Sequence, residues 1–73
     1  MNKEFKEQMV VVDEKKTNTK EKAINWYRTL NKLFNMNPIM EVSVKLSETS
    51  LLLHDKYGLS WNEIEALEID AIS

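Results

Sequence analysis

The sequence predicts a small α+β domain of about three helices with a short two-stranded β element, an all-α domain being the alternative. Three observations lead there. Ala23, Trp26, Tyr27, Leu30, Leu33 and Phe34 recur at helical spacing. Met40, Val42, Val44 and Leu46 alternate strictly with Glu41, Ser43, Lys45 and Ser47, the period of a half-buried strand. Ser60 followed by Glu63, just ahead of Ile64, is the signature of a capping box opening a helix.

Taken in order, Phe5 to Val12 fits both periods, and the β-branched run Val10 to Val12 decides for a strand. Asp13 to Lys20 is polar and reads as a loop, with Asn18 and Glu21 approximating a capping box for the helix that follows. That helix buries the Ala23 to Phe34 stripe and exposes Lys22, Asn25, Arg28, Thr29 and Lys32. Pro38 stops it, because the pyrrolidine ring pushes Asn37 out of the helical region. The second strand spans Met40 to Leu46. A short helical segment with Leu51, Leu52, Leu53 and Tyr57 then ends at Gly58, which can take the left-handed conformation of a helix terminus. The last helix starts at the Ser60 cap, with Leu59 packing on Ile64 as a hydrophobic staple and Trp61, Ile64 and Leu67 as its buried stripe. Glu68 falls inside that stripe, so the helix is expected only as far as Leu67.

With 73 residues, the chain reads as one domain, 1–73, with a small core and with 1–4 and 69–73 expected to fray. The absence of Cys excludes disulfides, thiolate metal sites and thiol nucleophiles, and the single Gly excludes glycine-rich phosphate loops. The longest apolar run, Met9 to Val12, is far short of the roughly 20 residues that span a bilayer. Met1 to Gln8 mixes Lys with Glu, so no secretory signal is expected and the cytoplasm is the expected location.

Charge is unevenly divided. Residues 1–38 carry eight bases and five acids; residues 39–73 carry two bases and seven acids. An acidic half repels phosphate backbones and suits a basic partner. The lone His54 has no Cys or second His to make a metal site, and its neighbour Asp55 has no nucleophile motif to serve. No catalysis, metal or cofactor is expected. Trp26, Tyr27 and Trp61 are large aromatics for so short a chain, two of them expected in the core and one on a binding surface. Ile24, Ile69 and one of Leu51 to Leu53 lie off the buried stripes. This surplus apolar surface, with Trp61, Asn62, Glu63, Glu65 and Glu68, marks Trp61, Asn62, Glu63, Glu65, Glu68, Ile69 and Ile24 as the expected partner-binding residues. A homo-oligomer formed through open strand edges or through this apolar surplus is the other expectation.

Residues Leu53 to Ile64 have the spacing of a helix-turn-helix: an apolar position, a Gly turn, a Leu-Ser cap and Ile inside the second helix. His54 stands where such motifs keep a small residue, and Trp61, Asn62, Glu63 and Glu65 stand where DNA readers place Arg, Gln or Ser. The same stretch continued to Ile72 resembles the closing segment of small bacteriophage tail assembly chaperones. Tyr57-Gly58, Ser60-Trp61, Glu63-Ile64 and Leu67 match that family's aromatic-Gly turn, capped helix opening and apolar continuation. The resemblance implies a non-catalytic, phage-encoded protein that coats an aggregation-prone tail protein through apolar and acidic helix surface. The expected function is therefore a protein-binding module that masks or bridges a partner protein, as an assembly chaperone or as a small inhibitor of a host or defence protein. A helix-turn-helix nucleic-acid-binding regulator is the alternative, with salt-sensitive binding aided by Lys20, Lys22 and Arg28.

Overall fold

The computed structural model describes residues 15–72. Residues 15–17 are helical, and three longer helices follow: α1 (Lys20–Met36), α2 (Met40–Asp55) and α3 (Trp61–Ile72). No strand occurs among the described residues, so the chain is all-helical there and the α+β expectation is corrected. The first expected strand, Phe5 to Val12, lies outside the described residues.

The second expected strand is the first half of α2. Its alternation is produced by two helical stripes on opposite faces of one helix. Val42, Leu46, Thr49 and Leu53 succeed one another at helical spacing and face inward, with Val42, Thr49 and Leu53 buried and Leu46 half-buried. Met40, Val44, Ser47 and Leu51 repeat the same spacing on the outer face and are exposed. Because the first members of the two stripes are interleaved two residues apart, the segment imitates a strand. Without strand edges among the described residues, the expectation of an oligomer through sheet pairing loses its basis there.

The helix termini follow their local chemistry. The Thr19 hydroxyl, and not Asn18, caps α1, accepting from the Lys22 N–H at 3.1 Å. Asn37 closes α1 by donating its N–H to the Leu33 carbonyl, with Pro38 beyond it. α2 opens at Ile39 with no side-chain cap. It ends in a turn through Gly58, whose φ of 72° lies in the region that only glycine occupies without strain. The Leu59 N–H then reaches back to the Leu53 carbonyl at 3.0 Å. The capping box is complete: Ser60 N–H donates to Glu63 Oε1 at 2.9 Å, and Glu63 N–H donates to Ser60 Oγ at 3.1 Å.

α1 and α2 form an antiparallel hairpin. α3 packs on α1, running parallel to it, and touches α2 far less. The parallel sense shows in Ile64 clustering with Ala23 and Tyr27 toward the start of both helices and Ile72 sharing a cavity with Asn35 toward their ends. Ala23, Tyr27, Leu53, Leu59 and Ile64 make the core, with Ile24, Leu46, Tyr57 and Leu67 packed against it. The expected staple of Leu59 and Ile64 lies within that cluster, and burying each large side chain contributes about 1.5–3 kcal/mol. Leu33, expected in the buried stripe of α1, is 45% exposed.

Candidate partner-binding surface

The phase of α3 sorts the residues expected to bind a partner. α3 runs on past Leu67 to Ile72, because its inward face is completed by Ala71 and not by Glu68. With Ile64, Leu67 and Ala71 turned inward, Trp61, Glu65, Glu68, Ile69 and Ile72 share one exposed arc, and Asn62 lies at its margin. Glu63 and Asp70 fall on the opposite flank. Ile24 sits on α1, half-buried against the core, and does not join the arc.

Trp61 is half exposed and does not join Ile64 and Leu67 in the buried stripe. Its ring stacks on His54 with centroids 4.1 Å apart and planes 17° from parallel. His54 is held in turn by a 2.8 Å hydrogen bond between Nδ1 and the Leu59 carbonyl. A carbonyl can only accept, so the proton is assigned to Nδ1. The histidine thus serves as a platform that fixes the indole at the start of α3. Of the other aromatics, Tyr27 is buried and Trp26 is half-buried, with Lys16 Nζ 4.0 Å from its ring centroid. The Trp26 Nε1 is buried with no acceptor among the described residues.

The acids divide into engaged and available groups. The Ser60 N–H and then the Ser60 hydroxyl hold the Glu63 carboxyl below the usual carboxylate range, and nearby Lys20 adds to this. Asp70 accepts from Arg28 at 2.5 Å. Glu65 and Glu68 have no ion-pair or hydrogen-bond partner among the described residues, although Glu68 is close enough to Tyr27 to act on it. Burial, and secondarily Glu68, push the Tyr27 phenol up.

Beside the arc lies a cleft of about 300 Å³ lined by residues of all three helices. Asn31, Phe34 and Asn35 line it from α1, Leu46 from α2, and Glu68 and Ile72 from α3. Asn31 is 6% exposed and satisfies its amide by donating to the Tyr27 carbonyl at 2.9 Å. Sequence reasoning missed this cleft and also missed the exposed pair Met36 and Met40 beside the α1–α2 turn, each 81% exposed. The signal for the second was present in the doubled stripe of α2; the cleft needs three helices to be placed together.

No group of three metal-ligating side chains gathers among the described residues, and no described helix is long and apolar enough to cross a membrane. No family model, curated protein or solved structure matches the chain.

Proposed function

We propose that this chain is a non-catalytic protein-binding module that masks or bridges a partner protein through the outward arc of α3 and the adjoining cleft. The observation that carries this reading is the composition of the arc: Trp61, Ile69 and Ile72 are 51%, 56% and 48% exposed beside two carboxylates that lack ion-pair partners among the described residues. A half-exposed, pre-positioned Trp is the kind of anchor that dominates protein interfaces. Contiguous exposed apolar surface rimmed by polar groups marks an interaction site.

Two forms of this function are open to the same surface. One is a phage tail assembly chaperone, supported by the resemblance of residues 53–72 and by the helical character that the described chain shares with that largely helical family. The other is a small inhibitor that occupies a site on a host or defence protein. The nucleic-acid alternative has one observation in its favour, the helix-Gly-helix corner formed by α2, Gly58 and α3. Against it, the exposed residues of the second helix include Glu63, Glu65, Glu68 and Asp70, which phosphates would repel.

Affinity capture of the tagged chain from a bacterial host lysate, with nuclease and moderate salt, tests the reading. A stoichiometric protein that survives both treatments is the expected result, and its identity separates chaperone from inhibitor. Recovery of nuclease-sensitive material alone overturns the reading in favour of the regulator.

A further inference from the structure

We infer that the cleft between α2 and α3 takes the apolar side of a cationic amphipathic helix, bearing Lys or Arg one turn from its apolar anchors. The inference rests on the protein-binding reading and names the chemistry of the partner. Three features of the cleft lead to it.

The first is size. Pockets for small ligands run from about 300 to 1,000 Å³, and this one, about 300 Å³, is at the lower bound. It has room for one or two side chains and not for an enclosed organic cofactor. The second is shape and lining. Phe34, Leu46 and Ile72, one from each helix, give a half-open apolar trough, which suits anchors one helical turn apart on an incoming helix.

The third is charge. Glu68 lines the cleft and Glu65 stands one turn away on the same arc. The last turns of α1 and α3 border the cleft through Phe34, Asn35 and Ile72, and neither helix carries a basic residue in its last turn. Their negative dipole ends therefore add to Glu68 without compensation from their own side chains. The positive N-terminal end of α2 lies at the same end of the bundle and has Glu41 in its first turn to offset it. A cation placed beside the apolar trough meets attraction from all of these sources, and an anion meets repulsion.

The test uses the full chain and a synthetic helical peptide of about 18 residues, long enough to form helix on binding. The peptide is built from Leu at helical spacing with Lys and Ala elsewhere. A matched peptide replaces every Lys by Glu, and a third scrambles the Leu positions. The Lys peptide is expected to bind at least about tenfold more tightly than either control by fluorescence anisotropy, and Glu68→Lys to lower its affinity by about tenfold. Amide NMR shifts on binding should concentrate at Asn31, Phe34, Leu46, Glu68 and Ile72. Equal binding of the Lys and Glu peptides, equal binding of the scrambled peptide, shifts centred elsewhere, no binding, or a self-associated dimer that hides the cleft would each overturn the inference. If the Lys peptide fails while lysate capture still returns a stoichiometric protein, the cationic helix is wrong and the protein-binding reading stands. If both fail, both fall.

Discussion

At the corner where α2 turns into α3, the Tyr57 hydroxyl donates to the Thr17 carbonyl at 2.6 Å, His54 bonds the Leu59 carbonyl, and Ser60 and Glu63 cap each other. At the opposite end, where α1 turns into α2, the N-terminus of α2 has no side-chain cap, and Met36, Ile39 and Met40 are exposed. The last turns of α1 and α3 lie at that same end without basic residues. At the corner these polar groups are paired, Leu53 and Leu59 are buried, and the half-exposed Trp61 is held against His54, so its interactions specify the fold and fix one anchor of the exposed arc. Apolar side chains and helix-end charge are left over at the other end, so that surface is available for recognition. Burial and pairing hold the first arrangement together, whereas the second leaves apolar side chains facing water.

The sharpest way to break this contrast is to truncate a side chain from each category. Leu53 is fully buried beneath the corner, and Leu53→Ala should cost about 2–5 kcal/mol by denaturant titration, enough to unfold much of a small domain. Met40→Ala, at the exposed end, should shift stability by no more than about 0.5 kcal/mol. Similar losses for the two would remove the distinction.

A smaller effect is expected from Tyr57→Phe, which keeps the ring and deletes the bond to Thr17, costing about 1 kcal/mol. No loss would mean that the corner is not tied to residues 15–17 in solution.

The capping box makes a pH-dependent prediction. Because Ser60 holds the Glu63 carboxyl below its usual range in the folded chain, its ionised form favours folding. That contribution is complete above the ordinary carboxylate range and disappears as pH falls through the depressed value. Glu63→Gln keeps the shape and loses the charge, so the difference in melting temperature between the two chains should shrink on acidification. A constant difference would argue against the cap as its source. A small effect is also expected from Arg28→Ala. Its ion pair with Asp70 is a surface one, with side chains 41% and 63% exposed, and its loss should cost about 1 kcal/mol or less, a difference that shrinks as salt is added.

Much of the corner was legible in the sequence because its signals are local. Gly58, the Ser60–Glu63 pair and the Leu59–Ile64 staple are each fixed by residues a few positions apart, and each forms as the spacing predicts. The stripe of α1 was legible for the same reason at Ala23, Tyr27 and Leu30. α2 was not, because a helix apolar on two faces presents alternation over its first turns, and only Thr49 and Leu53, further along, extend the inward stripe. The cap of α1 was displaced by one residue, since Asn18 and Thr19 are both competent and only the chain path selects between them. The arc on α3 could be assembled from spacing once the helix was known to reach Ile72. The cleft could not, as Phe34, Leu46 and Ile72 come from three helices and meet only through tertiary packing.

The most direct test of separate folding and binding surfaces compares two equally exposed apolar residues on different faces. Ile72, 48% exposed, borders the cleft, whereas Leu51, 52% exposed, lies on the outer stripe of α2. Each is changed to Gln, and each folded variant is used to capture the partner that the native chain retains from the same lysate. Loss of the partner by Ile72→Gln with retention by Leu51→Gln is the predicted result. Full retention by Ile72→Gln, or equal loss by both, would contradict the placement of the binding surface at α3 and its cleft.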